Sequence, residues 1–222
     1  MNSNSPRLIK SGIVLVDPQT LAPILNGSVP GGIIALQYNP DSISRTLQAA
    51  AVGGDGQDRS EAMRLKGPPV ETIKLEAEID ATDHRGVTGL PPSALGIQPQ
   101  LAALEVLVYP SSQQIEKSRR LASSGSLEIL PMESPLALFI WSKSRIVPVR
   151  VTDFSITEEA FNADLNPIRA KVSLGFRVLN MNDLGPEHRG SDLFLRYQKE
   201  KESLAQQNQR MNFGTLGIGG IS

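Results

Sequence analysis

The feature that most constrains this chain is strict period-two alternation in its longest ordered-looking segments. In PIRAKVSLGFRV, Pro167 to Val178, the residues Ile168, Ala170, Val172, Leu174, Phe176 and Val178 fall on one face, and Arg169, Lys171 and Arg177 on the other. Successive side chains on a strand point to opposite faces, so this pattern specifies a half-buried strand with a basic outer face. VETIKLEAEID, Val70 to Asp80, alternates in the same way. It turns Ile73, Leu75, Ala77 and Ile79 inward and Lys74, Glu76, Glu78 and Asp80 outward. One strand is therefore the acidic counterpart of the other, and cross-strand pairing of Arg169, Lys171 and Arg177 with Glu76, Glu78 and Asp80 is expected, within one subunit or between two.

Other segments repeat the theme between 16 prolines and 19 glycines, the punctuation of a sheet protein. SGIVLV is a first strand, GGIIALQYNP a second, and DSISRTLQ continues as extended chain; residues 49 to 69 read as a long exposed loop. PLALFIWS, Pro135 to Ser142, is apolar on both faces and reads as a buried strand. In SRIVPVRVTDFSITEEAF the apolar parity changes between Val151 and Phe154, which requires a β-bulge near Thr152 and Asp153. Pro148 lacks a ladder donor and belongs on an edge or at a non-bonded position. ADLN then turns this strand into the basic one as a hairpin. One core-facing helix is expected around Leu101, Leu104, Leu107 and Val108, with Pro99 in its first turn. After Asn180 a second helix begins at a Ser191 or Asp192 cap, and a Gly-rich tail, MNFGTLGIGGIS, ends the chain. The expected division is a β domain over residues 1–180 and a helix plus extended tail over 181–222.

Composition narrows function chiefly by exclusion. A formal net charge of -1 gives no basic surplus for nucleic acid or anionic lipid. The absence of cysteine removes disulfides, thiolate zinc sites and cysteine nucleophiles. No apolar run has the length of a signal peptide or membrane span, so folding in the cytoplasm and no membrane insertion are expected. His84 and His188 read as surface turn residues, because neither is accompanied by a nucleophile motif or a second ligand. Asp55, Asp58 and Glu61 miss the calcium-loop pattern, and the glycine pairs at Gly31 and Gly53 lack a phosphate-loop context. Acids two apart along a strand, as Glu76, Glu78 and Asp80 are, normally form a solvated or ion-paired face. No catalytic set, metal site or cofactor is expected.

The order of pieces carries a resemblance. LQYNPDSIS comes early, ETIKLEAEIDATD in the middle, then a helix, then LFIWSKSRIVPVRVTDFSITEEAFNADLNPIRAKVSLGFRVL. Over roughly Ile33 to Asn180 the chain resembles the N-terminal domain of tube and baseplate proteins of contractile injection systems, phage-tail-like particles whose members often carry a LysM module. Tyr38, Asn39, Pro40 and Ser42 match the family's early motif, and Phe161, Asp164, Pro167, Ile168, Arg169 and Ala170 match its late hairpin. The family glycine of that hairpin turn is replaced by Leu165 and Asn166, and Ser142 follows Trp141 where the family has glycine. No LysM pattern follows Asn180.

The resemblance implies a mainly β, tail-tube-like antiparallel sandwich or barrel with one or two helices, six copies joining sheets into a ring around a channel. It implies a structural role as tube initiator or adaptor between spike hub and inner tube, with tube, spike-hub and other baseplate proteins as partners. The candidate interface comprises Arg169, Lys171, Arg177, Glu76, Glu78 and Asp80, with Phe213, Leu216 and Ile218 of the tail bracing a neighbour. A cell-wall or carbohydrate-binding β-sandwich module of such a particle is the alternative, weakened by a single Trp and three Tyr.

Overall fold

The computed structural model describes residues 11–24, 32–36, 40–50, 64–81, 94–124, 135–208 and 217. Seven strands form one antiparallel sheet: β1 (Gly12–Val16), β2 (Ile33–Ala35), β3 (Ile43–Gln48), β4 (Val70–Asp80), β5 (Leu136–Ser142), β6 (Arg145–Phe161) and β7 (Pro167–Val178). Their order across the sheet is β2-β1-β5-β6-β7-β4-β3. The helices among the described residues are α1 (Gln98–Glu105), α2 (Ser112–Ser123), α3 (Met181–Leu184) and α4 (Arg189–Gln207). The class is mainly β, as the alternation requires. The sheet is continuous and sandwich-like, not a closed barrel, because β2 and β3 end it without pairing to each other.

The inward sets expected for β4 and β7 are the observed core. Ile73, Leu75, Ala77 and Ile79 are buried opposite Phe176, Leu174, Val172 and Ala170. Phe139 stacks on Phe176 with centroids 5.1 Å apart. Leu101 and Leu104 of α1 and Phe194 and Tyr197 of α4 enter the same cluster, so the C-terminal helix shares the sheet's core. β5 is apolar on both faces because it has a core on each side. Ala137 and Phe139 face the main cluster, while Leu136 and Leu138 join Val16 in a second one, flanked by Leu193 of α4.

The parity change in β6 is a register irregularity between Val151 and Asp153 in its pairing with β7. Pro148 sits in an interior strand, opposite Leu138 of β5. Leu179 N donates to Pro148 O at 2.9 Å, so the missing donor faces the end of the β6–β7 ladder and only the last return bond is lost.

Several features differ from the sequence reading; helix α1 stops at Glu105, so Val108, expected on its core face, lies beyond the helix and is 46 % exposed. Helix α2 was not expected. Its charged, polar composition hides it, but Ser111 and Gln114 form a reciprocal capping box at its start. The cap of α4 is His188, whose Nδ1 accepts from Gly190 N at 2.9 Å, and not Ser191 or Asp192. Ser191 instead donates its hydroxyl to Gly185 O at 2.6 Å. The second expected strand shortens to three residues.

At the β6–β7 turn Asn162 Oδ1 accepts from Asp164 N at 3.0 Å and Asn166 N at 2.9 Å. Leu165 takes φ 60, the left-handed conformation that favours glycine, with 79 % of its surface exposed. That conformation is strained for a residue with a Cβ. Leu165→Gly is expected to raise stability by about 1 kcal/mol after the entropy of the unfolded glycine is allowed for. Thermal melting of the two proteins checks it, with Leu165→Ala giving no comparable gain.

Candidate assembly surface

The outer face of β4 and β7 brings together most of the charges expected there. Asp80 lies opposite Arg169 and Glu78 opposite Lys171. Arg169 Nε donates to Asp80 Oδ2 at 2.9 Å and lies 3.8 Å from Glu78 Oε1. The hydrogen bond and negative charge of Asp80 hold the Arg169 guanidinium above its ordinary value. Lys171 Nζ reaches Glu159 Oε1 at 2.7 Å, and this bond and charge raise the ammonium in the same direction. Glu159 has no register partner at the irregularity between Glu158 and Ala160, which leaves it available to Lys171.

Arg177 behaves differently. Its register neighbours are Thr72 in β4 and Arg150 in β6, so no β4 acid faces it. Its Nη2 instead meets Asp183 Oδ1 of α3 at 2.8 Å. Arg169 is thus met by acids of β4, Lys171 by an acid of β6 and Arg177 by one of α3, so only the Arg169 end of the expected pairing between the basic and acidic strands forms within the chain. Phe213, Leu216 and Ile218, and residues Tyr38, Asn39 and His84, lie outside the described residues.

Among the described residues the sheet leaves two stretches of backbone ladder open. Backbone groups on successive residues of a strand point to opposite sides. The bond from Leu179 N to Pro148 O sets that parity, and the registers carry it across β7 and β4 to β3. Ser44, Thr46 and Gln48 therefore bond β4, while Ile43, Arg45 and Leu47 direct N–H and C=O outward. No proline or bulge interrupts β3. Beyond Val149, β6 pairs with β7 alone among the described residues, since its pairing with β5 stops there. This second open stretch runs from Arg150 to Phe161.

The β3 edge is held by a buried ionic cluster that the alternation did not reveal. Glu71, 1 % exposed, stands on the core-facing side of β4. Its Oε1 accepts from Arg45 Nε at 2.9 Å and Nη2 at 2.6 Å and from the Tyr197 hydroxyl at 3.0 Å. Its Oε2 accepts from Lys201 Nζ at 3.0 Å, and that ammonium lies 3.9 Å from the Tyr197 ring centroid. Burial pushes the Glu71 carboxyl up, but the hydrogen bonds and charges of Lys201 and Arg45 outweigh it and the net shift is downward. Burial, then the Glu71 charge, pushes the Tyr197 phenol up to about 12. Two elements more than a hundred residues apart, β4 and α4, are fastened here, with β3 as the third party. A cleft of about 380 Å³ beside the cluster is lined by Trp141, Arg145, Tyr197 and Leu204 among others.

Among the described residues no group of three or more His, Cys, Asp or Glu is placed to hold a metal ion. None of their helices is long and apolar enough to cross a membrane.

No family model matches the chain, and no curated protein matches it. Among solved structures, it aligns with a chain from the tail of an empty gene transfer agent particle, determined by helical refinement with C6 symmetry. Identity is 13 % and the TM-score 0.27, over 70 % of this chain and 87 % of that one. A chain from the virion of a native gene transfer agent particle aligns with 12 % identity and a TM-score of 0.26, over 66 % and 84 % of the two chains. Likeness of that size does not define a common fold.

The Glu71 carboxyl is depressed on folding, so its contribution is fully present above its unfolded value near 4.5 and is lost as pH falls through the lower folded value. Glu71→Gln is expected to lower stability by about 2–3 kcal/mol, the low end for a broken buried ion cluster. Arg45 and Lys201 keep 26 % and 29 % of their side-chain surface in water, which moderates the loss. Denaturant melts of both proteins between neutral pH and pH 3 check this, and the variant should show the smaller loss on acidification.

Proposed function

We propose that this chain is a structural subunit of a phage-tail-like contractile injection particle, a tube initiator or adaptor joining the spike hub to the inner tube. The observation that carries the reading is the pair of open backbone ladders, at β3 and along Arg150–Phe161 of β6. Unpaired strand edges invite edge-to-edge association, and natural monomers usually blunt them with proline, charge or bulges; β3 is regular and has no proline, whereas the β6 stretch carries charges and register irregularities and so is the weaker of the two edges. The exposed side chain on β3 with an outward-pointing N–H is Leu47, 51 % exposed, and the charge of Arg45 is turned inward to Glu71. Copies arranged head to tail place β3 of one against β6 of the next, and six such contacts close a ring in which neither edge remains free.

The sequence resemblance supplies the place of such a ring, between spike hub and tube. The charged outer face is already paired in its own chain at Arg169 and Lys171, so the backbone edges, with any contribution of the tail residues Phe213, Leu216 and Ile218, hold the ring in this reading. Assembly occurs in the cytoplasm and the particle is released or stays cell-associated.

Two measurements test this. Sedimentation of a native lysate should find the chain with sheath and tube proteins in large particles, and imaging of those particles should place it at the baseplate end. Recovery only as a free chain from a lysate that contains such particles would overturn the reading. At residue level, Leu47→Pro removes an outward donor and no internal ladder bond. It should change stability by no more than about 1 kcal/mol while abolishing ring formation in the sedimentation profile.

A further inference from the structure

The outer sheet face contains a second constellation, at the end away from Asp80. Arg150 and Arg177 stand directly opposite each other on β6 and β7, and Lys74 stands opposite Gly175, one position further along the same face. Like charges in direct cross-strand register are destabilising, and a sheet has no structural need of them. Glycine at 175 leaves the centre of this group open as a hollow of about 460 Å³. A Cβ there would lie 2.7 Å from Asp153 Oδ2, so no larger residue fits the present arrangement.

The counter-charges are insufficient. Asp183 takes one terminal nitrogen of Arg177, and Asp153, the acid inside the hollow, accepts from the Thr152 hydroxyl at 3.0 Å. Arg177 Nε is buried without a hydrogen-bond partner. Lys74 and Arg150 have no hydrogen-bond or ion-pair partner among the described residues. Three cations thus converge on an open floor, two of them unpaired among the described residues and the third with a buried donor unused. A buried unpaired donor is costly, and charge-assisted bonds to an anion remove that cost.

We propose that this hollow is an oxyanion site, in which Arg150, Arg177 and Lys74 bind the chemistry shared by a phosphate group and a carboxylate side chain. Each guanidinium offers a planar set of donors to such a group, and the ammonium closes the third side. The site stands independently of the assembly reading. Two sources of the anion are compatible with it: a free phosphate group, or a carboxylate of a second copy, whose face carries Glu76 and Glu78 beyond the hollow.

The probe is inorganic phosphate, titrated into the full chain against sodium chloride of equal ionic strength, with melting temperature and backbone amide shifts as readouts. Phosphate is expected to raise the melting temperature of the wild type and to shift the amides of Arg150, Gly175 and Arg177. Arg150→Gln and Lys74→Gln should each weaken binding by about tenfold, the loss of one charge-assisted contact. Arg150→Gln should melt no lower than the wild type without phosphate, since it removes a like-charge pair. Lys143→Gln, the same charge change outside the hollow, should respond as the wild type does. An equal response in the wild type and both hollow variants overturns the proposal. Sedimentation then separates the sources: self-association that phosphate displaces assigns the site to a second copy's carboxylate, and self-association unmoved by bound phosphate assigns it to a phosphate group.

Discussion

Everything in this molecule is referred to the register of β7. It pairs with β6 on one side and β4 on the other, and its alternation decides which residues of three strands face the core. A slip of one residue would drive Arg169, Lys171 and Arg177 inward and expose Val172, Leu174 and Phe176. That alternative is excluded by burial alone, so the charged face and the apolar face are two results of one constraint. Against β7, β6 carries extra residues at Thr152 and Glu159, and the one extra residue on β7, Ile168, lies beyond Arg169 where the pairing with β4 has ended, so β7 stays regular against β4. The strand that must keep register does so, and its neighbour absorbs the mismatch.

The long strands could be read from the sequence because their signal is local. Period two in β4 and β7, apolar residues on both faces of β5, and the parity change before Phe154 each lie within a dozen residues. The β-bulge was legible for the same reason, since Val151 and Phe154 cannot both face the core without an extra residue between them. The turn chemistry was half legible. Asn162 and Asp164 mark the turn, but only the backbone shows Leu165 in the conformation of a glycine.

What the sequence hid is non-local or capped by unusual chemistry. Glu71 opens an alternating strand and looks like any solvated acid, because its partners are 26, 126 and 130 residues away. No local pattern announces such a cluster. The pairing of Arg177 with Asp183 was missed because α3 is a single turn after the strand, outside any strand-to-strand comparison. Helix α4 begins earlier than its serine suggests because a histidine ring nitrogen can cap a helix as a serine oxygen does. The capping box at Ser111 and Gln114 was the available signal for α2.

The strand order has a consequence for how the chain is made. β5, β6 and β7 follow one another in sequence and pair as neighbours, so they can form as soon as they are synthesised. β1 can pair with β2 and β4 with β3 at once, but their other partners, β5 and β7, belong to the second half of the chain. Arg169 and Asp80 are 89 residues apart, and Lys201 meets Glu71 only when the last helix is complete. Contacts this distant in sequence make folding slow and leave apolar strands uncovered meanwhile. During synthesis the first half therefore holds two strand pairs, β1–β2 and β3–β4, each with an inner edge open until the second half closes on it, and the ribosome's pace sets how long those edges stay uncovered.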